Sequence, residues 1–282
     1  EDEVTHTISG DLQIQLRKNK YPFVCQRHGK KKGGKLQQQE ETKQEDETVL
    51  SPPSLEPLPS KTRKLIDFSN KVYIAPLTTV GNLPFRRIMK QFGADITCGE
   101  MAVATQLLEG KPSEWALLKR HKSEDVFGIQ LAAGYPDIFT RTMEIIEPLV
   151  DCDFVDLNLG CPLELICNKG AGAKLMMRDK QLRDSLLGIT NTLQKCGITI
   201  KMRTGWDEKR PFAHELVSKI HRWNIPGINA IMVHGRSRLQ RYSRLANWQY
   251  VNDVVAGDQD ATATHIPIVG NGDILSYNDY ET

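Results

Sequence analysis

The 282-residue sequence is poor in several of the features by which a chain declares its class. It has no run of about 18 apolar residues, so a membrane span is not expected. Its opening stretch, EDEVTHTISG, is acidic and polar and lacks the apolar centre of a secretory signal. Six cysteines (Cys25, Cys98, Cys152, Cys161, Cys167 and Cys196) include no C-x-x-C pair. That argues against a disulfide framework and against structural zinc, and no metal site is expected. Reduced thiols fit a cytoplasmic compartment, with the nucleus as a second location. An excess of one charge is also missing, with 37 Lys+Arg against 35 Asp+Glu, so global charge does not mark a nucleic-acid binder. The turn APLTTVGNLPF lacks the Gly-x-Gly-x-x-Gly of a doubly wound dinucleotide-binding sheet.

Local charge is uneven. Residues 17–35 and 234–248 are basic and hold no acid, which suits phosphate contact or a plain solvated face. Residues 1–70 are expected to be a mostly disordered or extended linker, because GKKKGGKLQQQEETKQEDETVLSPPSLEPLPSK is too polar to bury a core. Before it, DLQIQLRKNKYPF alternates apolar and polar residues and suits a docked strand or short helix.

From residue 71 to 282 short Val- and Ile-rich runs recur, starting near residues 72, 96, 127, 154, 198, 229 and 267. Each is too short for a helix and is closed by Gly, Pro or a polar residue, so each is expected to be a strand. Amphipathic segments separate them. In LPFRRIMKQFG the residues Phe85, Ile88, Met89 and Phe92 share one helical face. Alternating strands and helices with continuously apolar strands point to α/β architecture, a TIM (β/α)8 barrel. A barrel has about 250 residues, so an eighth strand is expected beyond Thr282.

Barrel chemistry sits at the strand carboxyl ends. Those ends offer Pro76-Leu77-Thr78, Glu100, Gln130, Asn158 with Cys161, Lys201 with Arg203, His234 with Arg236, and Asn271-Gly272-Asp273. Gln130 donates and accepts at once, which suits the edge of a pyrimidine-like ring. Lys201 is a compact cation for a reduced cofactor ring. His234 suits a donor or a satisfied interior histidine. Gly270 and Gly272 read as backbone access to a phosphate or as a turn. Cys161 in LGCPLEL has no obvious adjacent base to make it a nucleophile, whereas a general acid needs only placement.

The motifs APLTTVGNLPFRRI, GIQLA, VDLNLGCP, KGAGAKLM, IKMRTGW, VHGRSRLQRY and GNGDI occur in an order that resembles the tRNA-dihydrouridine synthases, and the eukaryotic branch acting on the tRNA variable loop in particular. The resemblance implies an FMN enzyme in which NADPH (or NADH) reduces the flavin, hydride passes to C6 of a uracil, and a cysteine, here Cys161, protonates C5. It implies flavin contacts at Pro76, Leu77, Thr78, Gln130, Lys201, His234, Asn271, Gly272 and Asp273. Asn158 and Arg203 would meet the uracil or the flavin edge, and the KGAGA segment would shape the mouth. Arg236, Arg238 and Arg241 are the candidate RNA contacts, with Lys30, Lys31 and Lys32 as a looser set. The partners implied are tRNA and some messenger RNA sites, with a monomer expected. The resemblance also implies a helical tRNA-gripping domain beyond the eighth strand. Two rival readings share parts of this pattern: an FMN dehydrogenase of a free pyrimidine, and an inactive RNA-binding fragment.

Overall fold

The computed structural model describes residues 3–4, 8–25, 63–257 and 266–281. The linker from residue 26 to 62, with Lys30, Lys31 and Lys32, lies outside the described residues.

Seven strands form one parallel sheet: β1 (Tyr73–Ile74), β2 (Ile96–Val103), β3 (Val126–Ala132), β4 (Phe154–Leu159), β5 (Gly197–Arg203), β6 (Ile228–His234) and β7 (Ile268–Asn271). Each starts within a residue or so of the position expected from its Val/Ile run. Their spatial order is their chain order, so the sheet is wound in one direction and curls around an interior, without the reversal of a doubly wound sheet.

Alternation along the strands separates two kinds of surface. One face carries Ile129, Leu131, Val155, Leu157, Leu159, Ile198, Ile200 and Met202, all fully buried. It packs in one cluster with the helices that follow the strands: α3 (Pro136–Leu149), α4 (Asp179–Thr192) and α5 (Ala213–Trp223). Phe139, Thr142, Met143 and Ile146 of α3 recur at helical spacing, which is why that segment is a helix lying on the sheet. Burial of each such Leu, Ile or Phe stabilises by about 1.5–3 kcal/mol. α6 (Trp248–Ala256) adds Val251 and Val254 to the same cluster.

The inner face is different. Its amino-terminal end is closed by Phe154, Tyr73 and Phe68, whose rings meet edge to face, and by Ile66, Ile96 and Cys98. Gly128 makes this plug possible, since a Cβ there would overlap the Phe154 ring. Above the plug the interior turns polar, and the chemistry is left to the carboxyl end.

Two local results differ from, or decide between, the expectations. Ser9 accepts the Leu12 amide at 3.2 Å and starts α1 (Gly10–Arg17), so the alternating segment docks as a helix with Leu16 buried. The chain after it is held to α3 by the Glu144 carboxylate, which accepts the Val24 and Cys25 amides at 2.8 Å each. In α2 (Leu83–Gln91) the expected apolar stripe is only half used: Ile88 is 47% and Phe92 82% exposed. The helix is anchored through the buried Arg86, which donates to Glu124 at 2.8 Å and stacks on Phe127 at 4.9 Å.

A candidate active site at the strand carboxyl ends

The loops after the strands enclose a cleft of about 260 Å³ lined by Pro76, Leu77, Thr78, Gln130, Asn158, Gly160, Cys161, Pro162, Leu163, Lys201, Arg203, His234 and Tyr242. Nine of the residues singled out from sequence therefore meet in one place.

The floor is a one-directional hydrogen-bond relay. Asp156, fully buried in β4, accepts from Thr199 Oγ1 at 2.6 Å and from Gln130 Nε2 at 2.7 Å. Gln130 Oε1 accepts from Asn158 Nδ2 at 2.8 Å. Asn158 Oδ1 in turn accepts the Gly160 amide at 3.1 Å and the Cys161 amide at 2.8 Å. Both amide orientations are thus fixed, and Cys161 is placed by a side chain three residues before it. Burial raises the Asp156 carboxyl to about 6, offset in part by the Thr199 and Gln130 bonds and by Lys201. Asp156 was not among the residues picked from sequence; the signal was present in VDLN, where Asp156 and Asn158 put two polar groups on one face of an apolar strand.

Lys201 lies across from Asn158 in the ladder and faces the cleft. Burial lowers its ammonium to about 8, against the pull of Asp156. It stays a cation at neutral pH, yet donates no hydrogen bond among the described residues. A desolvated, unbonded ammonium at a cleft wall is a ready partner for an electron-rich ligand.

Burial raises the Cys161 thiol, the Leu163 amide pulling the other way, so the group keeps its proton at neutral pH. Cys161 is 8% exposed. Behind it lies the KGAGA segment. Gly172 has φ +57°, and a Cβ there would come within 2.8 Å of the Cys161 carbonyl. Ala173 donates to that same carbonyl at 3.1 Å. Gly172 therefore buttresses the Cys161 loop from behind, and both glycines of the segment are buried.

Arg203 also works on this loop, donating to Gly160 O at 2.8 Å and to Ser237 O at 3.0 Å. It ties the β4 loop to the β6 loop. His234 is held neutral, driven down to about 3 by burial first and then by Lys201, Arg203 and Arg236. Arg236 Nη1 lies 3.2 Å from His234 Nε2. An arginine has only protons to give, so Nε2 accepts and the imidazole proton sits on Nδ1.

The remaining sequence-picked residues fall outside the cleft lining. Arg236 is buried, bidentate on Asp273 at 2.6 and 2.8 Å and bonded to Arg244 O at 2.7 Å. It frames the β6 loop, and its guanidinium, singled out from sequence as a candidate RNA contact, is spent on bonds within the protein. Asp273 also accepts the Ala246 amide, and Asn271 O accepts the Gly235 amide, so the Asn271-Gly272-Asp273 turn supports that loop. Gly270 makes room for the Trp248 ring, which a Cβ there would meet at 2.3 Å. Arg238 is half-buried and Arg241 is exposed.

A parallel sheet wound one way, carrying a cation-lined cleft at its strand carboxyl ends, defines the barrel class of α/β enzymes. A profile of the dihydrouridine synthase family matches residues 73–282. The chain is 51% identical over 218 residues to the tRNA-dihydrouridine(47) synthase NAD(P)(+)-like protein of Xenopus laevis, covering 77% of this chain and 32% of that protein. The protein of that name from Homo sapiens is 48% identical over 217 residues, covering 77% and 32%. The one from Arabidopsis thaliana is 45% identical over 227 residues, covering 80% and 32%. The chain belongs to the dihydrouridine synthase family. It spans about a third of the length of the curated relatives it matches.

Proposed function

We propose that this chain forms the flavin- and uridine-handling part of an FMN-dependent tRNA-dihydrouridine synthase. The observation that carries the reading is the pairing, in one cleft, of the unbonded cation Lys201 with the protonated, backbone-braced thiol of Cys161. The residues fit the cofactor. Lys201 offers charge to an electron-rich ring edge, Gln130 keeps one N–H and one lone pair beyond its two bonds, and neutral His234 offers its Nδ1 proton.

When bound, FMN supplies the hydride, drawn from NADPH or NADH, that saturates C6 of the uracil. Cys161 would hold at Sγ the one proton that C5 requires and give it from the opposite side of the base, the thiolate left behind regaining a proton from solvent. Asn158 holds the Cys161 amide and Arg203 the neighbouring Gly160 carbonyl, which keeps the sulfur in place. A target uridine has to leave its stack at a cost of a few kcal/mol, so phosphate contacts are needed, and Arg238 and Arg241 lie nearby to make them. The substrate proposed is tRNA, at its variable loop.

The 282-residue chain, mixed with FMN and freed of excess, is expected to keep a visible flavin spectrum. Lys201→Met should lose it and Cys161→Ala should keep it while forming no dihydrouridine in tRNA. Equal flavin retention by Lys201→Met removes that lysine from the cofactor site. Dihydrouridine at the wild-type rate from Cys161→Ala removes the thiol from proton donation.

A further inference from the structure

The rim of the cleft carries a cation, Lys174, that the reading above leaves without a task, set beside the same ring as Arg238. Trp206, in the loop after β5, has Lys174 Nζ 5.2 Å and the Arg238 guanidinium 4.5 Å from its ring centroid. The three side chains come from three different loops, and each loop is tied to the next. Lys174 stands on the short 3-10 turn Gly172–Met177, whose Ala173 amide is bonded to Cys161 O. The Arg238 amide donates to Gly205 O at 2.9 Å and the Leu239 amide to Trp206 O at 3.1 Å. Arg238 Nε donates to Pro162 O at 3.1 Å, next to Cys161 in the chain. The ring is thus fixed to the Cys161 loop from two directions.

Neither cation has an acidic partner among the described residues, unlike Arg244, which pairs with Glu208 at 3.0 Å, or Arg236 with Asp273. The Lys174 ammonium makes no hydrogen bond among the described residues, and Arg238 spends only its backbone amide and Nε. Two like charges against one ring repel each other. The negative face of the indole offsets part of that repulsion, and a bound anion would offset more of it. A lysine point charge beside an arginine fork suits a tetrahedral oxyanion.

We propose that Lys174 and Arg238, held by Trp206, bind a phosphodiester of single-stranded RNA next to the base inserted over Cys161. This rests on the RNA reading given above. Trp206 is a positioning residue here: it orders the two cations and leaves their N–H groups to the phosphate.

The test is fluorescence anisotropy of the 282-residue chain with a fluorescein-labelled oligouridylate, titrated at several salt concentrations from about 50 to 200 mM. Lys174→Gln is expected to lower the slope of log affinity against log salt by about 0.7, the share of one single-strand phosphate contact. Trp206→Leu is expected to weaken binding about two- to fivefold at fixed salt. The double variant should lose less than the sum, because Lys174 acts through the ring. Thermal melts of both variants check folding, and Lys174→Gln breaks no internal bond. Wild-type binding with an unchanged slope in Lys174→Gln overturns the site and leaves the RNA reading intact. No binding by the wild type removes the RNA reading itself for this chain. A slope change in Lys174→Gln with no effect of Trp206→Leu overturns the part assigned to the ring.

Discussion

Asn158→Asp tests the relay that runs from the middle of the barrel to Cys161. A carboxylate at 158 still accepts the Gly160 and Cys161 amides but has no proton for Gln130 Oε1, which now receives one at 2.8 Å. Turning the Gln130 amide repairs that end and sets its oxygen against Asp156, which must then carry a proton to donate. The buried carboxyl pair therefore retains one proton in the native state. Asp156 starts at about 6 because of burial, and losing the Gln130 donor and gaining a like charge both push it higher.

The sign follows from linkage. A carboxyl whose folded pKa lies above its unfolded value binds its proton more tightly when folded, so stability falls as pH rises until the folded pKa is passed. In the wild type that fall ends near 6. In the variant it continues at about 1.4 kcal/mol per pH unit, so from about pH 6 to 7.5 the variant loses about 2 kcal/mol more than the wild type. Lys201, at about 8, does not titrate strongly in that window. Urea midpoints of both proteins across the window measure the difference. A constant gap between the two curves would refute the one-proton argument.

Two further predictions concern the loops that frame the thiol. Gly172→Ala forces a side chain into φ +57° and against Cys161 O, so it should cost about 1–3 kcal/mol and speed alkylation of Cys161 by iodoacetamide; an unchanged melt with unchanged alkylation would contradict the buttress role. Arg236→Gln leaves the Asp273 carboxylate without its bidentate partner and frees His234 Nε2, so about 2–3 kcal/mol should be lost. In the same variant, nitrogen NMR should find the His234 proton spread over both ring nitrogens, and a retained Nδ1 tautomer would show that Arg236 does not set it.

The seven strands were legible from their Val and Ile runs, and the central ones present a full apolar face to the helices. The polar ring at their ends was legible for the same reason, since Gln130, Asn158, Lys201 and His234 interrupt those runs at one level. What was hidden depended on partners distant in sequence. Asp156 sits mid-strand, where a carboxylate reads as an anomaly until Thr199, Gln130 and Lys201 are brought around it. Arg236 read as a surface cation because its partner, Asp273, lies 37 residues away. The stripe on α2 was a true helical signal, but Arg86 and Glu124, 38 residues apart, anchor the helix in its place. Periodicity reports which face is apolar; it does not report which buried charge has a counterpart.

The inner and outer faces of the sheet divide stability from chemistry, and that division is itself testable. At neutral pH the Asp156 carboxylate and the Lys201 ammonium are both held in the form that burial disfavours, their pKa values drawn to about 6 and about 8. Each is therefore a cost that the apolar outer face offsets. Lys201→Met removes one of them outright, and the Asp156 carboxyl left behind takes up a proton instead of remaining an unpaired buried charge. Below about pH 6, where that protonation is nearly free, Lys201→Met should be more stable than the wild type by about 1–2 kcal/mol, a figure kept low because the lysine is only partly shielded from solvent. The advantage should shrink as pH rises from 6 to 8, since the variant then has to hold a proton that the wild type releases. Chemical denaturation at about pH 5.5 and pH 8 reads both effects. A variant less stable than the wild type at both would mean that Lys201 and Asp156 form a net stabilising pair, and that the inner face holds the barrel together rather than straining it.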